Sequence, residues 1–189
     1  MRAKRTLTER ARRQQIVGAA IEVIAETGAQ ASFKVIAERA DLSSTGLISY
    51  HFANRQELID EVGRQILETF STFVLERTDG VEEPTAVLRA FVDANVAFLK
   101  THRAHAAALV RIQHDTADLA RSDQDQLADV LRRGQAGGVL RTFDPALMAI
   151  FILSVRDGII RQLELDPDLD LDAAGLEFRA LVDRATRTD

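Results

Sequence analysis

Residues 32–55 read SFKVIAERADLSSTGLISYHFANR. Val35, Ile36 and Ala40 recur at helical spacing behind Ser32, which suits an N-cap, so a short helix is expected there. Asp41-Leu42-Ser43 has the composition of a turn. Ser43 or Ser44 then caps a second short helix ending near Tyr50 and His51, whose start carries Thr45 and Gly46. Two short helices about a tight turn, the second opening on small hydroxyl residues, form the pattern that seats its second helix in a DNA major groove. Capping by itself also accounts for serines and threonines. Their place in this pattern, beside a basic N-terminus, favours DNA.

Working outward, Thr6-Leu7-Thr8-Glu9 offers a capping box for a first helix over about 8–27. Ile16, Ala20, Val23, Ile24 and Thr27 share one face of it, and Gly28 supplies the stop. Leu42, Leu47, Ile48 and Phe52 are expected to set the angle of the two short helices by packing on Ile36, Val23 and Ile24. Asn54-Arg55-Gln56-Glu57 is another capping box, followed by a stripe of Leu58, Ile59, Val62, Ile66, Phe70, Phe73 and Val74. That fourth helix is long enough to join two domains. Later helix starts are marked by Pro84 after Glu82-Glu83, by Ser122 with Asp125, by Asp144-Pro145 and near Asp172, and Gly134, Gly137 and Gly138 close a helix through Leu127, Val130 and Leu131. With no sustained alternation and no repeat, the fold class is all-α, with about nine helices. Residues 1–53 are expected to form a helix-turn-helix DNA-binding domain and residues 54–189 a ligand-binding and dimerisation domain.

Charge supports the division. The 189-residue chain carries a net −5, yet residues 1–55 hold 9 Lys+Arg against 5 Asp+Glu while the remainder holds 15 against 24. A basic head on an acidic body is what a DNA-facing module ahead of a non-DNA-binding remainder produces. Ser32 and Lys34 open the second helix, where free N–H groups favour phosphate, and Arg55 opens the fourth. The candidate DNA-binding residues are therefore Ser32, Lys34, Ser43, Ser44, Thr45, Gly46, Tyr50, His51 and Arg55. Arg2, Lys4, Arg5, Arg10, Arg12 and Arg13 are expected to track the phosphate backbone or enter the minor groove.

With zero cysteines there is no disulfide framework or thiolate site, and a reducing compartment fits. No apolar run of about 18 residues appears, so a soluble, cytoplasmic protein without a membrane partner is expected. There is no glycine-rich phosphate loop, His-Glu-x-x-His or Gly-x-Ser-x-Gly, so neither an enzyme nor a cofactor is expected.

Residues 8–62 resemble the N-terminal domain of the TetR family of one-component bacterial regulators. The resemblance rests on Ile16 to Ala20 before Gly28, on Val35-Ile36-Ala37-Glu38-Arg39-Ala40, and on Gly46 through Tyr50-His51-Phe52 with Asn54-Arg55 and Glu57-Leu58. Asp41 departs from the family, which usually has glycine in the turn. Ser43-Ser44-Thr45-Gly46 is one residue longer than the commonest spacing, and Arg55 replaces the usual lysine. The resemblance implies a homodimer through the last two long helices, a double-stranded DNA operator with palindromic half-sites, and a small-molecule inducer that relieves repression. The fourth helix would transmit the change.

The stretch PALMAIFILSVRDGIIRQL over residues 145–163 is apolar on more than one face, so it is either central in its own subunit or packed on a partner; with Leu176, Phe178, Leu181 and Val182 it suits a four-helix dimer seam in which Ile152 and Leu153 are expected to lie. Phe70, Phe73, Phe91, Phe98, Leu109 and Phe151 are candidate apolar ligand contacts, with Asn95, His102, Arg111 and Arg156 as polar anchors; plain core burial explains the phenylalanines equally well. His102, His105 and His114, near Gln113 and Asp115, are better read as solvated or hydrogen-bonded than as metal ligands, so no metal is expected. The alternative left open is a helical small-molecule binding protein whose helix-turn-helix no longer reads DNA, a reading that Asp41 motivates.

Overall fold

The computed structural model describes residues 2–112 and 117–188, and the side chains of 8–112, 121 and 123–188. The described residues form α1 (Arg2–Thr27), α2 (Phe33–Arg39), α3 (Gly46–His51), α4 (Arg55–Thr78), α5 (Pro84–Thr101), α6 (Arg103–Arg111), α7 (Ala117–Ala136), α8 (Pro145–Leu165) and α9 (Leu171–Thr186). No strand occurs among them; the sole extended pairing is an isolated antiparallel bridge, Leu140 to Arg187.

Most sequence punctuation becomes helix ends. Ser32 Oγ accepts from the Val35 N–H at 3.3 Å. Asn54 Oδ1 accepts from the Glu57 N–H at 2.9 Å, and Glu57 reaches back to the Ala53 N–H at 2.7 Å. Glu83 and Asp144 cap α5 and α8 ahead of Pro84 and Pro145. The two hydrogen bonds that Thr85 gives Glu83, from its hydroxyl O–H and its backbone N–H, hold that carboxyl below the usual range. Gly28 takes φ +85°, the left-handed turn that ends α1.

Three starts differ from expectation. α1 begins at Arg2, ahead of the capping box, so the basic arm is helical backbone; the side chains of Arg2, Lys4 and Arg5 lie outside the described residues. α3 is entered through Thr45, in helical conformation and without a side-chain cap bond, not through a Ser43 or Ser44 cap. α7 starts at Ala117, so Ser122 lies inside a helix.

The chain divides into two units, residues 1–68 with 104–116 and residues 69–103 with 117–189. The division falls within α4, beyond the 53/54 boundary expected from the capping box, and it returns α6 to the N-terminal unit. In that unit Ile16, Ala20, Val23 and Ile24 of α1, Ile36 and Ala37 of α2, Ile48 of α3, Phe52, and Leu58, Val62 and Ile66 of α4 form one core, joined by Ala108 and Ile112. In the second unit α5, α7, α8 and α9 enclose Leu88, Val92, Leu127, Leu131, Met148, Ile152, Phe178 and Val182. Ile152 and Leu153 are thus interior residues of their own unit, at 1% and 8% exposure, and not seam residues as expected. The uncovered face of α8 is Leu147, Ile150 and Phe151, and that of α9 is Leu176 and Leu181. The i, i+3, i+4 spacing of 147, 150 and 151 places them on one stripe.

Asp41 is the single positive-φ residue other than glycine among the described residues, at +50°. Aspartate tolerates the left-handed region because its short side chain bonds locally, whereas a β-branched residue pays the full steric penalty. Replacing Asp41 with valine is expected to lower stability by about 1–2 kcal/mol in urea unfolding while Asp41→Gly does not lower it; equal midpoints for the two variants would contradict the strained-turn reading.

Candidate DNA-reading surface and ligand cavity

α2 and α3 carry 7 and 6 residues, too short to be stable alone, and are held from below by apolar contacts. Ile48 and Phe52 are essentially excluded from solvent. Their burial turns the opposite face outward: Ser32, Lys34, Ser43, Ser44, Thr45, Gly46 and Tyr50 are all exposed, and His51 is partly exposed. Tyr50 is 69% exposed although it is aromatic, with only the edge-on His51 ring beside it at 5.1 Å. Eight of the nine sequence-selected residues are thus exposed or partly exposed in the N-terminal unit.

Arg55 differs. Its Nη2 donates to the Ala29 carbonyl and it is half-buried, so this guanidinium ties the start of α4 to the turn after α1. Arg13, expected in the DNA-tracking arm, is also a brace. Its Nη1 donates to the His51 carbonyl at 2.7 Å, its guanidinium lies 4.2 Å from the Phe52 ring centre, and it pairs with Glu57 and Glu61 at 3.5 Å. One side chain thus joins α1, the end of α3 and α4. The Arg64 hydrogen bond, and to a lesser degree Arg13, holds the Glu61 carboxyl below its usual range against the opposing effect of burial. Gln15 Nε2 donates to the Ala40 carbonyl at 2.6 Å, and Arg39 pairs with Glu26 at 2.7 Å and Glu22 at 3.1 Å, pinning α2 to α1. Arg10 remains exposed, and Arg12 bonds Gln15 at 2.8 Å.

The second unit contains a cavity of about 280 Å³. Phe70, Ser71, Val74, Leu75 and Thr78 of α4, Val81, Val87, Leu88 and Phe91 around α5, and Asp123, Gln126, Leu127, Val130 and Arg133 of α7 form its wall. Of the expected ligand contacts, Phe70 and Phe91 line it. Phe98 stands edge-on to Phe70 at 5.2 Å and to Phe73 at 5.4 Å, and stacks on His102 at 4.4 Å, forming an aromatic cluster adjoining Phe70. Asn95 is buried; its Nδ2 donates to the Phe91 carbonyl at 2.7 Å and its Oδ1 has no partner. Arg156 is not on the wall but ion-pairs with Asp123 at 3.2 Å and Asp157 at 3.0 Å.

Three expected contacts lie elsewhere. Phe151 is 60% exposed on the outer face of α8. Leu109 packs on the N-terminal core, and Arg111 is an exposed residue of that same unit. Helical periodicity had marked them as apolar or polar positions without saying which core they face. Asp123, Gln126 and Arg133 were missed because they sit in the polar run ARSDQDQ and its continuation, which reads as a solvated face. Burial raises the Asp123 carboxyl above its usual range, more than Arg156 lowers it. Gln113, His114 and Asp115 lie outside the described residues, and no three potential metal-binding side chains gather among the described ones. No helix of the described residues is long and apolar enough to cross a membrane.

Residues 16–62 match the family model described as bacterial regulatory proteins, tetR family. The HTH-type transcriptional regulator BetI 1 of Chromohalobacter salexigens is 38% identical over 86 residues, an alignment covering 44% of this chain and 42% of that protein. The chain thus spans less than half the length of the curated relatives it matches. Among solved structures, the fatty acid degradation regulator FadR from Bacillus halodurans superposes with a TM-score of 0.80 at 21% identity, over 90% of this chain and 93% of that one. SmeT, repressor of the Stenotrophomonas maltophilia multidrug efflux pump SmeDEF, superposes in its triclosan complex with a TM-score of 0.77 at 19% identity, over 95% and 93% of the two chains. At these identities the structural likeness establishes the fold.

The bracing role of Arg13 has a measurable consequence. Arg13→Met keeps the stem but removes the donor and the charge, and is expected to cost about 1–2 kcal/mol in chemical unfolding. A variant as stable as the parent would remove Arg13 from the frame of α3.

Proposed function

We propose that this chain, whose residues 16–62 match the family model described as bacterial regulatory proteins, tetR family, is a homodimeric, ligand-responsive transcriptional regulator that binds a palindromic operator as a repressor and is released by a small-molecule inducer. The observation that carries the reading is the exposure of Ser43, Ser44 and Thr45 leading into α3 and of Gly46 and Tyr50 on it, with Ser32 and Lys34 exposed at the start of α2, all mounted on a packed and charge-braced core. Rigid mounting is what base reading requires, because hydrogen bonds to base edges discriminate only when donor positions are fixed. Asp41 adopts the positive φ that glycine would supply, so this departure does not favour a helix-turn-helix that has lost DNA.

Dimerisation is supported by the apolar stripe Leu147, Ile150 and Phe151 on α8 and by Leu176 and Leu181 on α9. A groove between these helices is lined by Val155, Ile159, Phe178 and Leu181. Large apolar side chains on adjoining helices are costly to leave in water, and a two-fold partner covers the same patch on both copies. A two-fold protein matches half-sites about 34–36 Å apart, one helical turn. Induction is supported by α4: the helix that carries Arg55 and the Glu57 cap at its start carries Phe70, Ser71, Val74, Leu75 and Thr78 of the cavity wall near its end. A ligand that displaces the latter end tilts the helix, and a coupling of about 1–3 kcal/mol changes operator affinity about 5–150-fold.

Selection of genomic DNA fragments on the purified chain at near-physiological salt tests the reading directly: a shared palindrome is expected, and retention without a common site would overturn it. On the selected site, Lys34→Ala is expected to weaken binding and reduce the slope of log affinity against log salt by about 0.9, measured by fluorescence anisotropy; an unchanged slope removes Lys34 from the phosphate contacts. Phe151→Glu is expected to yield monomers in light scattering without unfolding the chain, because Phe151 is already outside the core; an intact dimer would place the seam on another surface.

A further inference from the structure

Asp123 is the one carboxylate on the cavity wall among the described residues, and Arg133 the one cationic side chain. They are not equivalent. Arg133 is exposed, so water and salt screen its charge, whereas Asp123 is largely buried. Arg156 Nη1 reaches Asp123 Oδ2 at 3.2 Å while its Nε serves Asp157 Oδ1 at 3.0 Å. One guanidinium is shared between two carboxylates, so the three groups carry one net negative charge, although Asp157, 37% exposed against 17% for Asp123, is the better screened of the two. The charge is presented to a space walled mainly by apolar side chains, including the rings of Phe70 and Phe91, with Ser71, Thr78 and Gln126 as neutral polar groups.

A neutral apolar occupant would strip the remaining water from Asp123 and offer nothing in return, and an anion would add repulsion. A cation balances the set and makes a charge-assisted hydrogen bond, while aromatic faces favour positive charge further. An apolar cavity of roughly 150 Å³ takes benzene, so about 280 Å³ accommodates an aromatic or alkyl body with a short amine-bearing arm. We infer that the ligand of this cavity is a monovalent organic ammonium with an apolar body, its nitrogen held by Asp123 and its body against Phe70, Val74 and Phe91. The inference rests on the reading above that the cavity takes the inducer, and adds its chemical class.

Three probes of matched skeleton separate the alternatives: 4-phenylbutylammonium, 4-phenylbutanol and 4-phenylbutyrate, titrated calorimetrically into the full chain. The ammonium is expected to bind most tightly and to lose about 10–100-fold in affinity in Asp123→Asn, with the alcohol little changed. Equal or tighter binding of the alcohol or the carboxylate, or no binding by any probe, would overturn the inference. A pH series on the unmutated chain gives a second reading that is independent of how the variant folds. The charged groups around Asp123 are Arg156 and Asp157 of α8 and Arg133 of α7; the α4 and α5 walls contribute Ser71, Thr78 and apolar side chains. Because burial raises the Asp123 pKa, acidification neutralises it at a higher pH than an ordinary aspartate. Ammonium affinity should therefore fall as the pH is lowered from neutral to about 4, the ordinary aspartate range, while alcohol affinity stays level; a level ammonium profile would count against Asp123 as the anchor. Ammonium binding that depends on Asp123 yet leaves operator affinity unchanged would sustain the ligand class and remove the regulatory reading.

Discussion

Two helices of 7 and 6 residues cannot hold themselves together, and the DNA-facing surface exists only because α1 and the first half of α4 supply a shared apolar floor. Ile16, Ala20, Val23 and Ile24 from one side and Leu58, Val62 and Ile66 from the other receive Ile36, Ile48 and Phe52. Full burial of such side chains contributes roughly 1.5–3 kcal/mol each, more than the loss of any single exposed ion pair could offset. Position then comes from the polar rim of that core. Arg13, Gln15 and Arg55 each donate to a backbone carbonyl at the end of a helix or turn, closing groups that helix ends leave without partners.

α8 illustrates a different constraint. Its inner stripe of Met148, Ala149 and Ile152 completes the core of its own unit, and its outer stripe of Leu147, Ile150 and Phe151 is left exposed among the described residues. A helix apolar on two sides is either central or shared, and here one side is settled by burial. The cavity beside Phe70 and Phe91 has the opposite character: mainly apolar, it keeps one largely buried carboxylate whose cationic partner is shared with Asp157. Replacing a whole buried ion pair with apolar residues is often neutral or stabilising, so stability alone gives no reason for the Asp123–Arg156 pair to be there.

Local reading recovered much of this. Ser32, Asn54 with Glu57, Asp144 with Pro145, and the turn at Gly28 are caps or stops in the structure, because each acts on N–H or C=O groups within four residues. The α1 stripe and the exposed residues of α3 were equally legible, since a 3.6-residue period reports a buried face directly. Braces were not. Arg13 looked like part of a basic arm because its partners His51, Glu57 and Glu61 lie 38 or more positions away in sequence. Asp123 looked solvated because its neighbours in the chain are polar, while the neighbours that bury it come from other helices.

The amino-acid sequence by itself determined most of the helices, the turn that Asp41 accommodates, the hydroxyl run Ser43-Ser44-Thr45 leading into α3 and the family model that residues 16–62 match. These follow from periodicity, capping and turn chemistry, which act over a few residues. Only the tertiary structure decided that Ile152 and Leu153 are interior while Phe151 is not, that Leu109 packs on the N-terminal core, that Arg13 and Arg55 brace the domain, and that Asp123 faces a cavity. A helical stripe fixes which residues turn away from water together, but their neighbours are chosen by packing between segments far apart in the chain, and that packing sets burial, charge pairing and the shape of the site.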